Sequence, residues 1–292
     1  MHKAGFVNII GCPNVGKSTL LNVLVGQKLS IITSKAQTTR HRIMGIINEP
    51  EHQIIFSDTP GILKPNYKLH EKMMRFVADA MEDADIFLLI TDIFEDIALE
   101  ESYIQKLQKV TQPILLLINK IDLADEPKLH AKVAEWTAKL PNAEIVPISA
   151  LLNVNVSMVM KRILELLPEH APFYDKEQLT DKPERFFVSE IIREKILMNY
   201  QKEIPYSTEV VVESFKEDEK IIRIEAVIYV ERDSQKGIII GHKGEAIKKV
   251  GTQARTDAET FFGKHIHLEL FVKVDKDWRT NDNRLKRYGY NN

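Results

Sequence analysis

The stretch Gly11-Cys12-Pro13-Asn14-Val15-Gly16-Lys17-Ser18 limits what this chain can fold into more than any other. It fits the pattern GxxxxGK[ST], set between an apolar strand-like run at 6–10 and a helix-like run at 19–24. Glycine in that pattern lets the backbone bend through positive φ so that successive N–H groups point inward, and the helix that follows presents the positive end of its dipole. A loop built this way cradles phosphate oxygens. Gly11, Asn14, Val15, Gly16, Lys17, Ser18 and Thr19 are therefore candidate phosphate-binding residues, with Lys17 reaching the β and γ phosphates and Ser18 ligating Mg2+. An ordinary strand–turn–helix corner could carry the same residues, so the rest of the sequence has to decide.

Before residue 168, short β-branched runs alternate with amphipathic stretches, the pattern of an α/β domain with a mostly parallel sheet and helices on both faces. Strands are expected at 6–10, 44–47, 53–56, 86–91, 114–118 and 145–147, and helices at 17–25, 70–81, 99–109, 127–139 and 156–167. Only Asn48-Glu49-Pro50-Glu51-His52 separates the second and third strands, so they should pair as a hairpin and make one edge antiparallel. Residues 1–168 form the first expected domain. Residues 169–183, with Pro172 and Pro183 and little apolar periodicity, read as a linker. Beyond it the expected order is a helix at 184–201, strands at 207–216 and 220–231 turning at Glu217-Asp218-Glu219, helices at 236–240 and 245–262, and a strand at 265–274. That α-β-β-α-α-β order makes an α+β domain over 184–275, and 276–292 reads as a basic, irregular tail.

At 292 residues there is chain enough for two cores. No apolar run approaches the roughly 18–20 residues of a membrane-spanning helix, and the first strand begins without a signal-like apolar stretch. A cytoplasmic, monomeric protein is expected. The single cysteine, Cys12, excludes a disulfide framework and a cysteine-rich metal site. Net charge is only −2, yet residues 236–292 carry 12 Lys and Arg against 7 Asp and Glu. That asymmetry points one end of the chain at a polyanion.

Three further motifs follow the phosphate loop in order. Asp58-Thr59-Pro60-Gly61 ends the third strand, where Asp58 would hold Mg2+ through water and the Gly61 N–H would meet the γ-phosphate. Asn119-Lys120-Ile121-Asp122 ends the fifth. A carboxylate there accepts both N1–H and the 2-amino group of guanine, whereas adenine offers an acceptor at position 1 and no amine at position 2, so Asp122 selects guanine. Asn119 would fasten this loop to the phosphate loop, and the Lys120 stem would lie over the base. Ser149-Ala150-Leu151 would add a backbone N–H to guanine O6. Between the first helix and second strand, the polar stretch 30–42 contains Gln37-Thr38-Thr39-Arg40, and a threonine there completes metal coordination in the triphosphate state. Thr39 is preferred over Thr38.

Taken in this order, the motifs resemble those of translation-factor-type GTPases. Ile62 stands after Gly61, where many GTPases carry a water-orienting glutamine. In GTPases similar to this one, with Asn in a GxPNxGKS loop and an aliphatic residue after DxxG, the asparagine commonly holds K+; the resemblance thus implies Asn14 as a K+ ligand and, with Lys17, Thr39 and Gly61, as part of the catalytic set. In the second half, Gly241-His242-Lys243-Gly244 is a GxxG loop between helical stretches, followed by Lys248, Lys249 and Arg255. A GxxG in that element order is the geometry of a type II KH module, where glycines let the backbone approach single-stranded nucleotides.

With both halves read, the whole chain resembles the bacterial Era-type GTPases. The resemblance rests on GCPNVGKSTLLN, QTTRHR, DTPG, NKID, SAL, Asp181-Lys182-Pro183-Glu184-Arg185, Glu190-Ile191-Ile192-Arg193-Glu194-Lys195 and GHKG. It implies GTP and GDP as ligands, binding of 16S ribosomal RNA near its 3′ end, a role in small-subunit assembly and peripheral association with the inner membrane. Two other readings fit parts of the chain. Asp122 argues against an ATP-dependent kinase or transferase sharing only the phosphate loop; Lys17, Ser18 and Asp58 argue against an RNA-binding assembly factor with a vestigial nucleotide domain.

Overall fold

A computed structural model describes residues 1–94 and 101–290. Its first sheet has six strands, β1 (Lys3–Ile10), β2 (Ile43–Asn48), β3 (His52–Asp58), β4 (Ile86–Asp92), β5 (Ile114–Asn119) and β6 (Ala143–Pro147), in the order β2-β3-β1-β4-β5-β6. β2 runs antiparallel to β3, with Ile43 opposite Asp58, and the remaining pairs are parallel. Every residue of β4 and β5 is buried, so side chains on both faces of the sheet are covered, as continuous aliphatic runs such as Ile114-Leu115-Leu116-Leu117-Ile118 require.

The helices of this half are α1 (Lys17–Val25), α2 (Lys68–Glu82), α3 (Glu101–Leu107), α4 (Glu126–Lys139) and α5 (Val156–Leu166). α1 buries Leu20, Leu21 and Leu24; α5 buries Val156, Val159 and Ile163 at helical spacing. α4 starts where its sequence says it should. Asp125 accepts from the Lys128 N–H, and Pro127 occupies the first turn, where its missing N–H costs nothing. The start of the expected helix 99–109, at residues 99 and 100, lies outside the described residues.

Residues 169–181, expected as linker, are packed along the first sheet. The Leu179 carbonyl accepts from Ile46 N at 2.8 Å, Asp181 Oδ1 accepts from Met44 N at 2.9 Å, and Thr180 bridges antiparallel to Gly45. Gln53, fully buried, accepts from the amides of Phe173 and Tyr174 and donates to the Tyr174 carbonyl. The segment satisfies backbone groups on the outer side of edge strand β2. Proline punctuation and missing periodicity do not distinguish such a strap from a free linker.

The chain divides into two compact units. One comprises Met1–Ser30, Thr39–Pro65 and Met73–Asp181; the other comprises Ile31–Thr38, Asn66–Lys72 and Lys182 onward. The second unit has a three-stranded sheet, β7 (Glu209–Glu217), β8 (Ile221–Val230) and β9 (His265–Val274), with β7 antiparallel and β9 parallel to β8. α6 (Glu184–Asn199), α7 (Asp233–Ile240) and α8 (Glu245–Phe262) complete the α-β-β-α-α-β order. Val188, Ile192 and Ile196 of α6 and Val250, Ala254 and Ala258 of α8 share a core with Val210, Ile222, Ile224, Ala226 and Ile228 of the sheet.

The tail 276–292, expected to be irregular, is folded over its described part. It forms a short 3-10 turn at Trp278–Thr280 and α9 (Asp282–Arg287), and it buries Trp278, Leu285 and Tyr290. Trp278 Nε1 donates to the Ser207 carbonyl at 3.1 Å, and the Tyr290 hydroxyl donates to Glu209 Oε2 at 2.8 Å. Three wide-spaced aromatic and aliphatic residues among many charges show no period, yet each is buried.

Candidate functional site

The loops at the carboxyl ends of β1, β3, β5 and β6 carry the expected nucleotide residues, all in the first unit. Gly16, at φ 104°, caps α1, and Asn14 takes the left-handed conformation at φ 65°. A β-carbon on Gly16 would sit 2.2 Å from Asn119 Nδ2, and one on Gly61 would sit 2.7 Å from the backbone of Pro13. Both glycines are there because two loops meet at van der Waals distance. Lys17 is buried, and its Nζ donates to the Cys12 carbonyl at 2.6 Å, across the mouth of the loop.

Ser18 Oγ lies 2.7 Å from Asp58 Oδ2 and 2.9 Å from Thr39 Oγ1, and Thr39 Oγ1 lies 3.2 Å from the same carboxylate oxygen. Thr38 takes no part in this cluster, since its hydroxyl bonds Thr33 and the Lys35 carbonyl. Burial pushes the Asp58 carboxyl above the usual range, against the opposing pull of the Lys17 charge and the Ser18 hydroxyl. Its Oδ1 is buried and has no hydrogen-bond partner among the described residues. Hard oxygens from two hydroxyls and one carboxylate, with an orphaned carboxylate oxygen, suit Mg2+.

Asn119, almost fully buried, fastens three loops. Its Nδ2 donates to the Val15 carbonyl at 2.8 Å, and its Oδ1 accepts from Ala150 N at 2.9 Å. Ser149 is buried and its Oγ accepts from Leu152 N, while the Leu151 side chain is exposed. Lys120, at φ 63°, donates to the Asn14 carbonyl and to Asp92. Asp92 escaped the sequence reading; its only signal was a carboxylate closing an otherwise apolar strand. The Asp122 carboxylate sits on an exposed turn next to these residues. Thr59 donates to the Ile9 carbonyl at 2.7 Å and so braces the turn that runs through Pro60 to Gly61. Ile62 is buried, with its N–H on the Gly11 carbonyl, so it packs rather than handling water.

In the second unit, Gly241 ends α7 at φ 72° and Gly244 opens α8 at φ 81°, with Lys243 also left-handed between them. A β-carbon on Gly241 would meet that of Ala246 at 2.5 Å, whereas beside Gly244 the space is open. His242, Lys243, Lys248 and Lys249 are exposed around this loop. Arg255 is less directly part of it. Ten residues along α8 from Glu245 it lies about 15 Å away, and its guanidinium pairs with Glu259 at 3.0 Å.

Comparison with known proteins agrees with both domains. Residues 6–120 match the family described as 50S ribosome-binding GTPase, and 203–279 match the KH domain. The chain is 46% identical over 291 residues to the GTPase Era of Staphylococcus epidermidis, spanning 99% of this chain and 97% of that one. The Era of Staphylococcus haemolyticus is 45% identical over the same length. The chain belongs to the Era family of GTPases. Among solved structures, Era in complex with MgGDPNP and nucleotides 1506–1542 of 16S ribosomal RNA superposes with a TM-score of 0.94 at 39% identity, over 99% of each chain. A substituted Aquifex aeolicus Era bound to GDP and AlF4− superposes with a TM-score of 0.93 at the same identity and coverage. As an Era-family member, the chain is a P-loop GTPase domain followed by a KH domain.

Proposed function

We propose that this protein is a GTP-driven switch that binds 16S ribosomal RNA near its 3′ end and acts, as a monomer, in assembly of the small ribosomal subunit. One observation carries the reading: a single chain holds both the Ser18–Thr39–Asp58 cluster beside the Asn119-tied loops and a GxxG loop with exposed lysines in a KH domain. The likeness to an Era bound to MgGDPNP and a 16S fragment supports it.

The residues divide the work as follows. Backbone N–H groups of residues 14–19 and the Lys17 ammonium bind the phosphates, and Asp122 with the Asn119-tied loops orients guanine. Ser18 and Thr39 would hold Mg2+ directly and Asp58 through water. Bound there, the metal neutralises charge growing on the phosphate oxygens. With Ile62 unable to orient water, Asn14, exposed at the loop, would hold K+ as activator, and the Gly61 N–H would meet the γ-phosphate. Closure of 30–42 and 61–68 in the triphosphate state would alter the affinity of the KH domain for RNA, and hydrolysis would reset it. Gly241, His242, Lys243, Gly244, Lys248, Lys249 and Arg255 would contact RNA.

No helix among the described residues is long and apolar enough to cross a membrane. A cytoplasmic location with peripheral attachment to the inner membrane completes the proposal, resting on family resemblance. The test is crosslinking to 16S ribosomal RNA with a GTP analogue and with GDP, beside a Gly244→Asp variant. A carboxylate at that open, positive-φ position should lower RNA affinity at least tenfold and leave GDP binding unchanged; equal RNA affinity would refute the module assignment. Hydrolysis stimulated by K+ and lost in Asn14→Ala, with nucleotide affinity retained, tests the ion.

A further inference from the structure

The last residue of β4 is a carboxylate at the end of an almost wholly apolar strand. Asp92 is nearly buried and stands in register with Asn119, the last residue of β5. Both of its oxygens are used. Oδ1 accepts from the Phe94 N–H at 2.9 Å, and Oδ2 accepts from the Lys120 ammonium at 2.5 Å. The Ile93 N–H donates to the Asn119 carbonyl at 3.2 Å, so the ends of the two strands are fastened through the main chain as well as through this pair. All of these residues belong to the first compact unit.

Lys120 needs such a partner for two reasons. It keeps φ 63°, a left-handed conformation that a β-carbon disfavours and that persists where the surroundings hold it. Its side chain is also long and, left to itself, samples many rotamers. Here the ammonium is held at two points, by Asp92 and by the Asn14 carbonyl of the phosphate loop at 2.9 Å. Asp92 contributes a charge and the carbonyl does not, so the carboxylate is the stronger anchor. The stem that would lie over the guanine ring is thereby fixed before any ligand arrives.

We infer that Asp92 is a positioning residue of the guanine site: through its ion pair with Lys120 it holds the lysine stem over the base position and the ammonium on the Asn14 carbonyl. Asp92 acts through Lys120, since both of its oxygens are turned to protein donors. The inference deepens the nucleotide-site reading and rests on it, in particular on Lys120 lying over the base. Because GDP and GTP share the base, Asp92 acts on both alike, independently of the cluster at Ser18, Thr39 and Asp58. The ion pair also accounts for a charge at the end of a buried strand, where an unpaired carboxylate would be costly.

The test compares Asp92→Asn with Asp92→Ala in the full chain. Asparagine keeps an oxygen for the Phe94 N–H but turns an amide N–H toward the ammonium; alanine loses both bonds. The Lys120 side chain is 32% exposed, so water can take up its charge and neither variant strands a buried cation. Titration with fluorescent GDP and with a non-hydrolysable GTP analogue should show about tenfold weaker binding of both nucleotides in both variants, the cost of ordering one long side chain on binding. KM for GTP should rise by the same factor while kcat stays within about twofold. In a Lys120→Ala background, where there is no stem to hold, adding Asp92→Asn should cause no further loss. Wild-type affinity in Asp92→Asn beside weakened binding in Asp92→Ala would overturn the inference and leave Asp92 as a turn residue. A loss of equal size with and without Lys120 would overturn it too. Failure of the underlying reading looks different: Lys120→Ala alone would then bind GDP as tightly as wild type, and the inference would fall with it.

Discussion

Removing the Asn119 side chain tests the idea that one amide holds the nucleotide loops together. In Asn119→Ala two backbone groups lose their partners, the Val15 carbonyl, 2.8 Å from Nδ2, and the Ala150 N–H, 2.9 Å from Oδ1, at a position only 3% exposed. An unsatisfied buried group costs roughly 1–3 kcal/mol; with partial relaxation, nucleotide-free stability should fall by about 2–4 kcal/mol. For a unit of this size that is a melting shift of about 5–15 °C. GDP affinity should fall as well, by about tenfold or more, because ligand binding must then order both loops. Thermal melts with and without GDP measure the first effect and titration calorimetry the second. Asn119→Asp sharpens the test, since it keeps the acceptor for Ala150 but sets a carboxylate against the Val15 carbonyl, and it should do no better than alanine. A double-mutant cycle with Gly16→Ala adds a sign. The new β-carbon would sit 2.2 Å from Asn119 Nδ2, so Gly16→Ala should cost less in the Asn119→Ala background, by about 1 kcal/mol or more. Wild-type melting and GDP affinity in Asn119→Ala, or strict additivity in the cycle, would refute the tether.

Three further outcomes are expected. The folded-state pKa of Asp58 is raised by burial, so in the metal-free, nucleotide-free protein its contribution to stability falls as pH rises through the ordinary carboxylate range toward the raised value; Asp58→Asn should therefore gain in melting temperature over wild type as pH rises, while losing Mg2+-dependent analogue binding. Asp122→Ala, on an exposed turn, should leave the nucleotide-free melt unchanged and weaken GDP binding at least tenfold, with GTP losing its advantage over ATP in competition titrations. Trp278→Ala removes a fully buried indole and its bond to Ser207, and should destabilise the C-terminal unit by about 3–5 kcal/mol, read as a lower denaturation midpoint for that unit.

The readable parts of this protein are those in which function or burial repeats at short range. Residues 11–18, 58–61, 119–122 and 149–151 each form one turn after one strand, so chemistry and conformation are written in the same few residues. Helices 17–25 and 245–262 and strand 265–274 match their elements to the residue, because one face of each is apolar at the proper period. What stayed hidden depends on pairing between distant segments. Residues 169–181 lack periodicity since they bond to an existing sheet edge and not to one another, and the tail holds its place through single residues, Trp278, Leu285 and Tyr290, each filling a gap made by other elements.

The sequence alone therefore determined the guanine chemistry, the KH loop and the two-domain order, since each rests on residues adjacent along the chain. Only the tertiary structure decided that Thr39 and not Thr38 faces Ser18 and Asp58, and that the eight residues before Thr39 are held by α6. Which of two neighbouring hydroxyls meets the carboxylate depends on partners brought in from other parts of the chain: Thr39 meets Ser18 and Asp58, whereas Thr38 turns to Thr33 and the Lys35 carbonyl.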